Sequence, residues 1–258
     1  MEWFFPDDLS DTLKLLKKGY ILHSGGTGIL MGDIKRIKGL ISLDKLNLNY
    51  VKKEKNKIII GATATFSDVI KNLKKIEPEN ILVKAISKAA STPLRNRITI
   101  GGSIAFAPLW SDILGPLIAL ECKVKVIGEN KGEYKISEFI KSPEIKKYSM
   151  IKEISFDRGT KKSAYFTFKR TSFDFSIFNI SLVLKDKSLR IALWGTKDKE
   201  KRLIELEEFL KKNDKFDEDD LRRFFKPEFH NNIYFSKEYL QELAMIQLLR
   251  MLNEIYGR

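Results

Sequence analysis

Residues 92–112 read TPLRNRITIGGSIAFAPLWSD. The β-branched run Ile98-Thr99-Ile100 predicts a strand, Gly101-Gly102 its break, and the residues that follow a second extended piece. Adjacent glycines at the end of a strand sacrifice packing and conformational entropy, which is tolerable where something must approach the bare backbone. Ser111-Asp112 then offers a hydroxyl and a carboxylate at the predicted start of the next helix. The stretch therefore asks what approaches Gly101-Gly102.

Composition narrows the answer. With 258 residues, 43% hydrophobic and 11% aromatic, the chain can build a substantial core and permits two or three compact units. No window approaches an uninterrupted membrane-spanning run, and MEWFFPDDLSD lacks a basic region followed by an apolar core. A membrane span or secretory signal is not expected, and a cytoplasmic location is. A single cysteine, Cys122, excludes an internal disulfide and a cysteine-built cluster within the chain. With only His23 and His230 besides, a transition-metal centre of the chain's own making is not expected either. Chemistry must come from an organic cofactor or a partner.

The formal charge of +13 invites a nucleic-acid reading, but 47 basic residues are interleaved with 34 acidic ones. No RNP, zinc-finger or helix-turn-helix signature accompanies them, and VKKEKNK (residues 51–57) reads as a hairpin tip or solvated edge. The basic surface is read as solvated, without a nucleic-acid partner.

Along the chain, DLSDTLKLLKK (8–18) has a capped helical pattern closed by Gly19. GYILHSGGTGILMGDIKRIKGLISLDKL follows as strand, glycine turn, short helix and strand. KIIIGATATFSDVIKNL repeats that order, with a strand at 57–60 and a helix capped by Ser67 or Thr65. ENILVKAISKAAS is helical, and SDILGPLIALECKVKVIG predicts a helix returning as a strand, followed by GEYKISEFI. From about residue 151 the texture becomes alternating apolar and polar, an antiparallel sheet. Two helices, KEKRLIELEEFLKKN and SKEYLQELAMIQLLRMLNEIY, close it. The fold class is α/β plus α+β, in three segments: 1–50 and 51–155 as α/β pieces, 156–258 as an α+β piece.

Two glycine loops carry the chemistry. HSGGTGIL (23–30) lies between a strand and a helix, where glycines let N–H groups converge and an anion can bind. It matches a dinucleotide fingerprint poorly: Gly26-x-Gly28 follows a strand, but Met31 stands where the third glycine belongs and Gly32 follows it. No P-loop is present. Taken alone, the loop is equally a plain turn. TIGGSIAF, the second loop, offers backbone at Gly101-Gly102 and hydroxyls at Thr99 and Ser103, with Ser111 and Asp112 downstream. Two such loops can grip an extended ligand from both sides.

SGGTGIL, IGATATFSDVI and the block ISKAASTPLRNRITIGGSIAFAPLWSDILGPLIALECKVKV together resemble the FAD-binding subunit of molybdenum-containing hydroxylases, the xanthine dehydrogenase and carbon monoxide dehydrogenase group. The resemblance continues through FTFKRTSFDFSIFNISLVL and FSKEYLQELAMIQLLRMLNEI. It implies a two-lobed FAD cradle of the PCMH type, made of the first two segments, followed by a small C-terminal domain of antiparallel sheet and helices. It places the FAD diphosphate on Leu22, His23, Ser24, Gly25, Gly26, Thr27, Gly28 and Ile29. Thr99, Gly101, Gly102 and Ser103 reach the flavin-side half, Ser111 and Asp112 its polar backbone, and Ile151 and Lys169 supply further contacts. It implies an oxidoreductase with no catalytic acid or nucleophile on this chain. FAD would receive electrons from [2Fe-2S] clusters on a small iron–sulfur partner, fed by a molybdenum cofactor on a large subunit, and pass them to an external acceptor.

The chain departs from that family at Ser103, where asparagine is usual, and at FAPLW (106–110), bulkier than the usual segment. It is also somewhat short. Phe106 and Trp110 can pack on the flavin or simply fill core. His23 either touches a phosphate or packs the loop, Asp112 can cap a helix as well as bind, and Arg95 and Arg97 face a partner or the surface. Cys122 is expected to be a buried, inert thiol. The alternatives to a flavoprotein are a redox-inactive scaffold and a basic nucleotide- or nucleic-acid-binding module.

Overall fold

The structure is a computed structural model and describes residues 1–213 and 215–257. In chain order its first elements are β1 (Glu2–Phe4), α1 (Leu9–Lys17), β2 (Ile21–His23), β3 (Gly39–Ser42), β4 (Val51–Glu54), β5 (Lys57–Gly61) and α2 (Phe66–Ile76). Next come α3 (Ile81–Lys88), α4 (Thr92–Arg95), α5 (Ile100–Phe106), α6 (Leu114–Ala119), β6 (Lys123–Gly128), β7 (Gly132–Lys135), α7 (Ile136–Lys141) and α8 (Pro143–Lys146). The chain ends with β8 (Ser149–Asp157), β9 (Thr160–Phe168), β10 (Phe178–Lys185), β11 (Ser188–Thr196), β12 (Lys199–Arg202), α9 (Ile204–Lys212), α10 (Glu218–Phe224) and α11 (Lys237–Tyr256).

These elements form two compact units, each discontinuous in sequence. The first comprises residues 1–76, 90–107 and 121–158, the second residues 77–89, 108–120 and 159–258. The first unit holds two sheets. One is parallel, in the order β1-β3-β2, and packs α1 against β3. The other runs β4-β5-β8-β6-β7 with antiparallel pairing throughout. In the β4–β5 hairpin the lysine run lies on an exposed edge strand, where charge discourages further pairing. Cys122, just before β6, is fully buried, and burial pushes its thiol pKa up. A thiol so held is not a thiolate nucleophile. Native protein is expected to leave it unreacted with a thiol-specific disulfide reagent over hours and to titrate one thiol once unfolded in guanidinium; fast native labelling would refute the burial.

The second unit is a four-stranded antiparallel sheet, β12-β11-β10-β9. Its strand periodicity explains why β10 is buried on both faces. Phe178, Ile180 and Leu182 join Leu206, Leu221, Leu248 and Leu252 of α9, α10 and α11 in one core. Asn179 and Ser181 point the other way, towards α6. Trp194 is fully buried, and its indole N–H donates to the carbonyl of Pro108 at 3.1 Å.

Helix ends follow their side chains. Asp8 caps α1 by accepting from Asp11 N–H at 2.8 Å, and Gly19 follows in the left-handed region with φ of 86°. At α2 the cap is Thr65, not Ser67: its Oγ1 accepts from Asp68 N–H at 3.1 Å while the Asp68 carboxylate accepts from Thr65 N–H at 3.1 Å. A reciprocal Asp217–Asp220 box starts α10 within KFDEDDL.

Three expectations from the sequence are corrected. Residues 100–106 are the helix α5, not a strand with an extended continuation. The strand signal survives only as a single bridge between Thr65 and Thr99. Residues 149–157 pair with β5 and β6 in the first unit, so the C-terminal sheet starts at Thr160. Residues 199–202 are the edge strand β12, not the first turn of a helix. Among the described residues, no helix is long and apolar enough to cross a membrane.

Candidate functional site

α5 begins at Thr99, whose backbone is extended and whose Oγ1 accepts from Gly102 N–H at 3.3 Å. Two further N–H groups of its first turn are taken by one neighbouring segment: Ile100 donates to Ala64 O at 3.0 Å and Gly101 to Ala62 O at 2.8 Å. This explains Gly101. A Cβ there would meet both the Cβ and the carbonyl oxygen of Ala62 at 2.8 Å, so the helix could not seat against that segment. Gly101 is a buried packing glycine, and its amide is spent inside the protein.

Gly102 differs. It is exposed, and the atom crowding a Cβ there would be its own capping partner, Thr99 Oγ1, at 2.9 Å. On the same helical face, one turn later, stands Phe106, 48% exposed. α5 ends with Ala107 in the left-handed region at φ of 43°, immediately before Pro108. The outward face of α5 is thus a side-chain-poor surface bounded by one aromatic ring.

The turn from Ser24 to Gly28 closes onto this same region. A Cβ on Gly25 would lie 1.5 Å from the Arg97 carbonyl oxygen, so the two backbones touch and only glycine fits. The Arg97 Nε donates to Gly25 O at 3.3 Å, which places Arg97 within the first unit's loop cluster. At the other end of the turn, the Gly28 Cβ position is 3.5 Å from the Phe106 ring. Gly26, at φ of 76°, occupies a conformation that disfavours any side chain. The two glycine loops of the sequence are therefore one juxtaposition.

Their backbone amides are used differently. Among the described residues, none of the backbone N–H groups of Ser24, Gly25, Gly26, Thr27 and Gly28 donates to another protein group. Successive free amides in a glycine turn form a concavity suited to an anion. Leu22 leads into it from β2, half-buried, and Ile29 begins the short helical turn that leaves it. The diphosphate of FAD fits this donor set. Ser103 is half-buried on α5, close enough in sequence to Gly102 to add a hydroxyl.

His23 carries an enclosed Nδ1 with no hydrogen-bond partner, and its ring meets Trp3 edge-on with centroids 4.9 Å apart. Burial, then the positive charge of Arg97, holds its pKa below the usual imidazole value, with Asp44 opposing. Trp3 was invisible to sequence reasoning, since nothing in EWF marks a contact with residue 23.

The remaining predicted residues are held by contacts of their own. Ile151 is buried in β8, opposite Val126. Ser111, Asp112 and Lys169 belong to the second unit, where they form a different arrangement. The Asp112 carboxylate accepts from Tyr165 Oη at 2.8 Å, Thr167 Oγ1 at 3.1 Å and Lys169 Nζ at 3.0 Å. Lys169 Nζ also donates to Lys88 O at 3.0 Å. Burial first, and Asp112 second, raise the Tyr165 pKa well above its usual value, so the phenol remains a donor. Asp112 is not the cap of α6, whose first residue has no side-chain cap; Ser111 Oγ accepts weakly from Ile113 N–H at 3.4 Å. Trp110 packs on Phe175, with centroids 5.0 Å apart, also in the second unit.

The family model described as the FAD binding domain in molybdopterin dehydrogenase matches residues 1–156. The nicotinate dehydrogenase FAD-subunit of Eubacterium barkeri is 25% identical over 214 residues, 76% of this chain and 72% of that one. The glyceraldehyde dehydrogenase medium chain of Sulfolobus acidocaldarius is 26% identical over 180 residues, 65% of this chain and 64% of that one, a little under two thirds of its length. Quinoline 2-oxidoreductase from Pseudomonas putida 86 contains a chain of the same fold, with a TM-score of 0.90 at 18% identity over 100% of this chain and 97% of that one. A carbon monoxide dehydrogenase chain from Hydrogenophaga pseudoflava gives 0.87 at 22% identity, over 98% and 96%.

Proposed function

The chain belongs to the family of FAD-binding domains of molybdopterin dehydrogenases, and on that footing we propose that the turn from Leu22 to Ile29 holds the diphosphate of FAD beside the bare face of α5. As an oxidoreductase subunit, it would work in a cytoplasmic heteromer. A small partner would carry [2Fe-2S] clusters and a large partner the molybdenum cofactor and the substrate pocket.

The observation that carries this reading is the row of undonated amides from Ser24 to Gly28, set by backbone contact against Arg97 and Phe106. Those amides supply the hydrogen bonds, the Thr27 hydroxyl stands within the same turn, and Arg97 adds a cation at Gly25. Thr99 fixes the first turn of α5, so that Gly102 presents no side chain to a ligand, and the Ser103 hydroxyl takes the place of the family's asparagine. Phe106 walls the turn at Gly28. The overall positive charge favours an anionic ligand at long range. When bound, FAD supplies the redox chemistry these side chains lack, linking one-electron iron–sulfur donors to an external acceptor. The protein's part is to hold and orient it.

Reconstitution tests the reading. Purified chain, incubated with FAD and freed of excess, is expected to retain flavin absorbance in the visible. Gly102→Trp is expected to weaken FAD binding by at least about a hundredfold, as overpacking at a binding face does. Its far-UV circular dichroism should be preserved because residue 102 is exposed. A wild-type chain that stays colourless after reconstitution rejects the proposal, as does a Gly102→Trp variant that binds FAD normally.

A further inference from the structure

The parallel sheet β1-β3-β2 is incompletely covered on one of its faces. Its register sets Trp3 beside Leu40 and Leu40 beside Ile21, so these three side chains share a face. The opposite face carries Leu22, which packs in the cluster that includes Leu9 and Leu13 of α1. Parallel strands are ordinarily buried on both faces. Here Leu40 is buried, but Trp3 and Ile21 are exposed, and so is Phe5, whose ring stacks on Trp3 with centroids 6.1 Å apart. The crossover from β2 to β3 starts on this face, since the His23 ring meets Trp3 and its Nε2 lies 2.8 Å from the Cβ position of Gly26. That crossover adds Leu30, Met31 and Ile34, all exposed. One small sheet and its crossover thus leave six large apolar side chains in water, a feature that marks interaction sites.

The same crossover supplies cations. Lys35, Arg36 and Lys38 are exposed, and Arg36 is paired with Asp33 at 3.1 Å. Among the described residues, the ammonium groups of Lys35 and Lys38 meet no carboxylate. An apolar centre containing aromatic rings and methionine, with charge at its rim, is the make-up of a protein interface. The net charge of +13 opposes a second copy of the chain as the occupant. A lipid surface is the poorer match, because Asp33 stands among the exposed residues and the aromatic rings sit on a sheet face and not on an amphipathic helix. An anionic protein surface fits both the apolar centre and the basic rim.

Resting on the heteromer reading above, we propose that this face docks the iron–sulfur partner. In that reading electrons reach FAD from the partner's clusters, so it is the chain that must touch this one. Thiolate-ligated [2Fe-2S] centres are anions in both oxidation states, which suits a basic neighbour. Trp3, Phe5 and Ile21 enter the dry centre of the contact, where aromatic side chains count most. Lys35 and Lys38 meet carboxylates at its rim and steer association.

The experiment purifies the holoenzyme through an affinity tag on this chain and measures iron and molybdenum per copy of it. A zero-length carbodiimide, which joins an ammonium to a touching carboxylate, then maps the contact by peptide mass spectrometry. In wild type, Lys35 or Lys38 is expected to cross-link to the iron–sulfur partner. Phe5→Asp should weaken retention of that partner by at least about tenfold. The Lys35→Glu, Lys38→Glu double variant should do so at low salt, with a smaller difference from wild type at about 0.5 M salt. Isolated Phe5→Asp should bind FAD within about twofold of wild type, since Phe5 is exposed and outside the glycine turn. Full retention of iron by Phe5→Asp overturns the proposal and leaves the FAD reading standing, as do cross-links from Lys35 and Lys38 only within this chain or to the molybdenum chain. An isolated chain whose dimerisation, or whose binding to phosphatidylserine vesicles, is lost in Phe5→Asp gives the face another occupant and overturns it too. A wild-type chain that recovers no iron–sulfur partner overturns the heteromer reading together with this one.

Discussion

Gly25→Ala is expected to lower the melting temperature of the first unit by about 6–12 °C and to weaken FAD binding by at least about a hundredfold. The reason is steric and local. The added Cβ would sit 1.5 Å from the Arg97 carbonyl oxygen and 2.6 Å from its carbonyl carbon, distances at which no side-chain rotation helps. Relief requires moving backbone on one side or the other. The 97–99 segment is poorly placed to yield, because Ile98 O accepts from Phe66 N–H at 2.9 Å and Thr99 caps α5. Overpacking against backbone costs about 3 kcal/mol, and each kcal/mol moves the melting point of a domain this size by about 2–4 °C. If the turn yields instead, its free amides lose their convergence and the anion site goes with them. Gly32→Ala is the matched control: its Cβ would meet only Ile29 O, at an ordinary 3.6 Å, and its φ of −101° suits alanine. Thermal melts followed by circular dichroism, with FAD titration of both variants, decide the matter. A Gly25→Ala chain that melts and binds like the Gly32→Ala control refutes the backbone contact.

The same contact shows what the sequence could and could not convey. HSGGTGIL is legible as a glycine turn between a strand and a short helical turn because local chemistry, glycine plus strand and helix signals, determines it. TIGGSIAF misleads because its local preferences add up to strand: two β-branched residues precede the glycines, and each glycine costs a helix about 1 kcal/mol relative to alanine. Tertiary packing reverses that preference. Gly101 lets α5 seat on Ala62, the amides of Ile100 and Gly101 find carbonyls on that neighbouring segment, and Ala107 accepts a left-handed backbone to end the helix. The packing surface and both carbonyls come from residues 62–64, far from the loop in sequence. That residues 77–89 and 108–120 belong to the second unit is equally unmarked, since their helical patterns say that one face is buried but not against what. Even the bare backbone at 101–102 resolves into two different glycines, one admitting a neighbour within the protein and one left open.

Asp112→Leu is expected to be among the costly single substitutions in the second unit, at about 3–5 kcal/mol. Its side chain is 11% exposed and that of Lys169 9%, and the two meet at 3.0 Å. Asp112→Leu strands the Lys169 ammonium beside the Lys88 carbonyl, and removing one member of a buried ion pair costs about 3–5 kcal/mol. Lys169→Met leaves the carboxylate with two hydroxyl donors, Tyr165 and Thr167, and should cost less. The double variant should be more stable than Asp112→Leu alone. No charge is then stranded, Tyr165 Oη keeps the Asp112 backbone carbonyl at 3.2 Å, and Thr167 keeps Ser176 Oγ at 2.9 Å. The coupling energy from such a cycle is thus expected to be favourable by about 2 kcal/mol, within the range for residues in one network. Urea unfolding followed by tryptophan fluorescence, to which the buried Trp194 of this unit contributes, measures all four proteins. Strictly additive losses would mean that the carboxylate and the ammonium stabilise the unit independently, through their hydroxyl and carbonyl partners and not through each other.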